Sequence, residues 1–391
     1  MAAPNINQWF LEDPSRILGK VEQVMRNKGR VSALMKKSTL PTGHGFNFSS
    51  IITNRSTKVD GGWVDVNTPD GSGTNCIVTP STVSPSRTQY TYRARETVLF
   101  SQKICLDDAT AGYNFREQVA TDRDNFVGNV VDTWEDEDKA QFIKNSDHKI
   151  VLNSSFTESG FGSAIPNSQA TSQISQDFLD KMYIQIIQDG GGEEPYARKN
   201  GAALLPLIIS FEGSRQIQKG DSTVREDIRF AEQGEGDVAR LLNTWSVDRA
   251  MGGFMHIIDT KMPRYNFVGG AYVEVPYYST SATTIGSEAI VNPAYHNASF
   301  EAAFIWHPDV VHRQVPGAVA SVGSDATGRA WNFNGDVQWL NIPNETDNPF
   351  SNIGFWAARL KAAYRPVKPR YGYVLIYKRC PGIASVACPS Y

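Results

Sequence analysis

Long hydrophobic runs are missing from this 391-residue sequence. No stretch approaches the ~20 apolar residues that span a bilayer as a helix, so a membrane-spanning helix is not expected. The opening residues MAAPNINQWFLEDPSRILGK lack a basic-then-apolar export pattern, which points to folding in a cytosol. Cysteine is scarce, with only Cys76, Cys105, Cys380 and Cys388. None forms Cys-x-x-Cys, and no histidine pair stands at zinc-finger spacing. Free thiols in a reducing compartment are the expectation, with closure of a small loop by Cys380 and Cys388 around PGIASVA left open. Also absent are the Gly-x-Ser-x-Gly elbow, the phosphate loop, the dinucleotide fingerprint and His-Glu-x-x-His. The glycine clusters DGSG (70–73) and DGGG (189–192) lack the lysine or following helix that phosphate binding needs, and read as turns.

What is present is ordinary for a globular chain. Hydrophobic residues make up 40% and charged residues 20%, which excludes wholesale disorder. Glycine and proline spread along the chain, with plentiful aromatics, point to many turns and a β-rich body. The net charge of −3 hides an uneven distribution. Residues 1–40 carry +4 and residues 351–391 carry +7 with no acid at all, leaving −14 on the stretch between. Basic ends and an acidic middle suggest termini that meet something negative, either nucleic acid or the acidic body of a neighbouring copy.

Residues 1–40 read as an arm. Ile17, Val21, Val24, Val31, Leu34 and Met35 make a helical stripe interrupted by Gly29, too short to stand alone and therefore expected to lie on another surface. Residues 44–100 read as a long hairpin. Phe46 and Phe48, then Tyr90, Tyr92 and Ala94, alternate with polar neighbours, and TPDGSGTN (68–75) makes the turn. Such a ribbon is marginal in isolation and must rest on something.

The stretch 114–145 is the clearest element. Phe115, Val119, Phe126, Val130, Trp134 and Phe142 share one helical face. Asn114 stands as N-cap with Glu117 three residues on, and Glu135 precedes Lys139 by four. A helix of this length spans roughly 45 Å. Residues 160–300 read as a compact α/β region, with a helix starting at Ser175 and buried strands in ALLPLIISFEG (203–213) and GFMHIIDT (253–260). Towards the end, WNFNGDVQWLN alternates, IGFWAARLKAAY suits either a helix or an extended stretch, and YGYVLIYKRC is a closing strand.

Two groups of residues invite a chemical reading. EDED (135–138) suggests a metal cluster, but successive helical positions diverge, so a solvated face is expected. His307, Asp309 and His312 lie in FIWHPDVVHRQ (304–314). Pro308 argues for a turn there, with Asp309 capping a short helix through Val310, Val311 and Arg313. His256 and Asp259 sit on another strand. No catalytic, cofactor-binding or metal residue is therefore expected. No helix-turn-helix or RNA-binding signature occurs, which leaves only non-specific phosphate contact.

The order of arm, β excursion, long helix, α/β region and returning strands resembles the major capsid protein of tailed bacteriophages, with its Hong Kong 97-type α+β fold. FEAAFIWHPDVVHRQVP is similar to the strand leaving the axial domain of that family. NPFSNIGFWAARLKAAYRPVKPRYGYVLIYKRC is similar to its closing segment. The resemblance implies an N-terminal arm (1–43), an extended loop (44–100) and a first peripheral part (101–159) holding the spine helix 114–145. An axial domain (160–297), a second peripheral part (298–380) and a tail (381–391) follow. It further implies a non-enzymatic shell protein without cofactor, assembled in a bacterial cytoplasm into a virion head. Its partners would be copies of itself in hexamers and pentamers, with portal, scaffold or decoration proteins and non-specific contact with packaged double-stranded DNA. Three other readings compete. One is an encapsulin-type shell around a cargo enzyme, and another is a β-rich tail or receptor-binding module. The third is a hydrolase using His256 or His307.

Overall fold

The computed structural model describes residues 30–39, 47–53, 87–101, 103–105, 115–188, 197–199, 202–220, 250–251, 253–278, 292–315, 334–341 and 353–380. The arm contributes α1 (Arg30–Leu34) and β1 (Lys36–Thr39), followed by β2 (Asn47–Thr53), β3 (Arg87–Phe100) and β4 (Ile104–Cys105). The long helix is α2 (Phe115–Asn145), leading into β5 (His148–Val151) and β6 (Thr157–Ser159). Then come α3 (Gln176–Ile186), β7 (Ala197–Lys199), β8 (Ala202–Ile209), α4 (Phe211–Gly220), β9 (Ala250–Met251) and β10 (Phe254–Ile258). The hairpin β11 (Arg264–Val268) and β12 (Ala271–Val275) precedes α5 (Pro293–Asn297), β13 (Phe300–Ile305) and β14 (Val311–Val315). The chain returns through β15 (Asn334–Asn341), β16 (Ile353–Pro366) and β17 (Tyr373–Lys378).

Two sheets organise these elements into an α+β fold. One runs β1-β14-β16-β3-β2, with β15 and β4 also paired to β16. The other runs β6-β5-β17-β13-β8-β10-β9, with β11, β12 and β7 attached to it. The second sheet is covered on both faces, which explains its strand sequences. Ile208, Phe304, Val374 and Ile376 join one core with Phe126, Val130, Trp134 and Phe142 of α2. Leu207, Ile305, Leu375 and Tyr377 join the other core with Phe178, Leu179 and Met182 of α3. A strand buried on both sides draws apolar residues at nearly every position, hence ALLPLII, FEAAFI and YVLIY, with Glu301 as the exception.

Helix α2 follows the expected bounds within a residue, and its stripe packs as expected from Phe126 onward. Phe142 stacks on Trp306 with ring centroids 4.4 Å apart and lies 5.3 Å from Phe304. Phe115 and Val119 have side chains outside the described set, as does the whole of Asn114, so the N-cap falls outside too. Helix α3 starts where expected, Ser175 accepting a hydrogen bond from the Phe178 amide.

The ambiguous IGFWAARLKAAY is extended. Trp356, Ala358, Leu360, Ala362 and Tyr364 all join the first core, and this two-residue period belongs to a strand. Pairing with β3 over Ala357–Ala363 outweighs the helical preference of its alanines, leucine and lysine. The hairpin is confirmed at its base, where β2 pairs antiparallel with the first half of β3. Its turn, TPDGSGTN, lies outside the described residues. The arm, as far as it is described, lies on another surface: Val31 and Met35 are buried beside α2, and β1 pairs parallel with β14.

One sulfur differs from expectation. Cys380 is disulfide-bonded, so it is not a free thiol. It is one of the two cysteines whose spacing around PGIASVA leaves a small bridged loop open.

Candidate functional site

The junction of arm, α2 and the return strands holds the densest polar chemistry. Helix α2 leads into it with Trp134, Glu135, Asp138 and Lys139, all buried. Asp138 is enclosed. Its Oδ2 accepts from Arg313 Nη1 of β14 at 2.5 Å and from the Ser32 hydroxyl of the arm at 2.5 Å. Its Oδ1 accepts from the Tyr364 hydroxyl of β16 at 2.8 Å. The Arg313 guanidinium also lies over the Trp134 ring, 4.5 Å from its centroid, so one cation is held by a carboxylate and an aromatic face together. Burial pushes the Asp138 carboxyl up, and Arg313, Ser32 and Tyr364 oppose that push.

One turn earlier, Glu135 reaches the arm. Its two oxygens accept from the backbone amides of Val31 and Ser32, each at 2.8 Å. These amides belong to the first turn of α1, where no intrahelical acceptor exists, so a side chain of α2 finishes the arm's own helix. Lys139 stands behind, with Nζ 2.8 Å from Asp259 Oδ2 and 3.5 Å from Glu135, and donates to the Lys261 carbonyl at 2.7 Å.

This corrects the expectation for EDED. Asp136 and Glu137 do face outward, but Glu135 and Asp138 are buried ligands of the arm and of β14. The physical reason is that α2 is covered over more than one apolar stripe. Arm, sheet and loop 259–261 all press on it, and buried charges persist there because each meets partners. The i,i+4 pair Glu135–Lys139 is accordingly an interior contact and not a surface one.

The FIWHPDVVHRQ segment resolves as a turn without the expected helix. Val310 donates to the His307 carbonyl at 3.1 Å, closing the turn, and the chain then enters β14. A helix is displaced because Val311–Gln314 pair with β16 and His312–Val315 with β1. The Asp309 carboxylate accepts from Lys36 Nζ at 2.9 Å and lies 3.0 Å from His312 Nε2. His307 Nδ1 accepts from the Asp309 amide at 3.1 Å, and its ring packs on Tyr371. Burial raises the Asp309 carboxyl, but hydrogen bonds from Lys36 and His312 prevail and hold it down at about 2. His312 is lowered, first by burial. Asp309 and His312 are thus brought together as an anchor for the arm's Lys36. His256 lies apart on β10, its Nδ1 3.4 Å from the Ser214 hydroxyl, while Asp259 serves Lys139. Among the described residues no group of three or more His, Cys, Asp or Glu is placed to hold a metal, and no helix is long and apolar enough to cross a membrane.

A second buried network ties down the chain's return. Glu301 of β13 accepts from Arg264 Nε at 2.9 Å and from the Tyr377 hydroxyl at 2.6 Å. Arg379 donates to Glu212 at 2.6 Å and to the Ala298 carbonyl at 2.5 Å, just past α5. Two arginines face two glutamates here, so the charges balance. Beside α2, a cleft of about 720 Å³ opens towards β3, β12 and the loop 276–278. Asp136 and Glu274 stand in it, reached by water yet crowded by its walls, and burial raises both carboxyls.

The sequence carried one signal of the junction. Phe126, Val130, Trp134 and Phe142 fall on a stride of four whose missing member is position 138. A carboxylate within an apolar stripe marks a buried partner, but nothing local names Arg313, 175 residues away.

No family model matches the chain, and no curated protein matches it. Among solved structures, it is similar to the capsid of cyanophage P-SCSP1u at 11% identity, over 89% of this chain and 87% of that one, with a TM-score of 0.47. The capsid of Ralstonia phage GP4 gives 11% identity over 90% and 89%, TM-score 0.47. The capsid of cyanophage Pam1 gives 10% identity over 86% of each, TM-score 0.47. Identities of this size say nothing of what the chain does.

Proposed function

We propose that this chain is the major capsid protein of a tailed bacteriophage. It assembles through hexamers and pentamers into the icosahedral head shell around double-stranded DNA and performs no catalysis. The observation that carries the reading is the β2–β3 ribbon. Residues Arg87–Arg93 pair with β2, and only the second half of β3 joins β16. Ile51 stands exposed on this ribbon, and Val98 and Phe100 stand exposed farther along β3 where it joins β16. A two-stranded ribbon with apolar side chains in water is marginal for a single chain, and a neighbouring copy supplies the missing cover. Heterologous contacts of this kind close into rings and shells. The basic chain ends and acidic middle favour the same contacts.

The division into arm, extended loop, peripheral parts and axial domain belongs to this proposal, as do the portal, scaffold and decoration partners. Negative-stain electron microscopy of the purified chain tests it. Rings of five or six and closed shells are expected. A protein that stays monomeric at every concentration overturns the reading. Shells that hold one cargo protein in place of DNA overturn its genome-packaging half in favour of an encapsulin-type compartment.

A further inference from the structure

The junction around Glu135 has an imbalance that the second buried network lacks. Glu135, Asp138, Lys139, Asp259 and Arg313 are each at most 4% exposed. Three carboxylates share that space with two cations, so one negative charge is in excess. These groups are nearly closed to solvent, and the low-cost remedy for an uncompensated buried carboxylate is a proton.

The distances to the two cations rank the three carboxylates. Asp138 has Arg313 at 2.5 Å together with the Ser32 and Tyr364 hydroxyls. Asp259 has Lys139 at 2.8 Å. Glu135 is left with the longer 3.5 Å contact to the same lysine and with the two arm amides. The remaining charges around it do not restore balance. On α2, Asp132 is neutralised by Lys261 at 2.6 Å, and Asp136 adds negative charge at the rim. From β12, Glu274 adds more. On the arm, Lys36 is engaged by Asp309, and Lys37 acts on Asp138. Arg313 on β14 and Tyr364 on β16 are both committed to Asp138.

We propose that this junction is a one-proton latch for the arm, in which Glu135 is protonated while Arg30–Thr39 is seated and ionises as that segment lifts away. The inference stands whether or not the chain builds a shell, because it concerns one subunit. Burial first, and then Asp259, push the Glu135 carboxyl up to about 7 from its ordinary 4.5, against the pull of Lys139 and the two amides. The seated state therefore binds a proton that the lifted state gives up. Seating is strongest at acid pH, weakens as pH climbs from the ordinary carboxylate range, and levels off above about 7.

Hydrogen exchange of the full chain reads this directly. Protection of the Val31 and Ser32 amides, corrected for intrinsic exchange, should fall roughly tenfold per pH unit between about pH 5 and pH 7. Protection of the Leu375 amide in β17 should not follow. In Glu135→Gln, which has no proton to lose, the fall with rising pH should vanish, leaving at most the opposite trend of His312, whose lowered imidazole faces the arm's Lys36. Asp259→Asn restores the charge balance and should move the fall to lower pH. Protection independent of pH in the natural chain overturns the latch. So does a fall with rising pH that survives Glu135→Gln, or a window that Asp259→Asn leaves in place.

Discussion

Replacing Asp138 with asparagine tests the junction most directly. The carboxamide keeps the shape and still accepts from Tyr364, but it removes the charge that Arg313 faces. Arg313 cannot turn to water, because it is 1% exposed and packed over the Trp134 ring. Removing one partner of a buried ion pair costs ~3–5 kcal/mol. The retained Tyr364 contact places Asp138→Asn at the low end, about 3 kcal/mol. Arg313→Met should cost as much or more, since it leaves Asp138 charged with only two hydroxyl donors. The double variant Asp138→Asn/Arg313→Met buries no net charge, so it should be more stable than the sum of the singles by about 2 kcal/mol. Urea unfolding followed by tryptophan fluorescence gives all four free energies. Effects that simply add, to within about 0.5 kcal/mol, would refute the claim that these two groups act as a pair.

Three further outcomes test other parts of the fold. Trp134→Asp puts a second carboxylate beside Asp138 on the buried face of α2 and should abolish cooperative thermal unfolding; an unchanged melting temperature refutes the packing of that face. Gly253 has φ of +85°, and an added Cβ there would collide with the Tyr183 ring, so Gly253→Ala should destabilise by at least ~1 kcal/mol, read by the same urea titration. Burial lowers Lys149, held between the Ser146 and Gly160 carbonyls, to about 8 from 10.5. Its unfolded form binds the proton more tightly, so stability should rise with pH above about 8, and Lys149→Met should remove that rise relative to the natural chain.

What the sequence disclosed and what it hid follow from the range of the forces involved. Helix α2, helix α3 and the strands β8, β10 and β17 were legible because their periods are local, although FEG (211–213), read as the end of the strand at 203–213, opens α4 instead. The pairing of β16 was not, since alanine, leucine and lysine suit a helix until β3 and β15 offer their edges. The His-Pro-Asp turn was visible in Pro308, but the strand after it depends on β1, more than 270 residues earlier in the chain. The site shows the same division. Three of its anionic groups lie in or near patterns that were read, EDED and GFMHIIDT, and all three were assigned by their neighbours in sequence. Burial instead followed from what crosses α2 in space. Asp138 occupies the empty place in a four-residue stride of large apolar residues. A charged residue that keeps an apolar register has its partner in the core, and here the Asp138 oxygen that holds Arg313 also fastens the arm by accepting from Ser32.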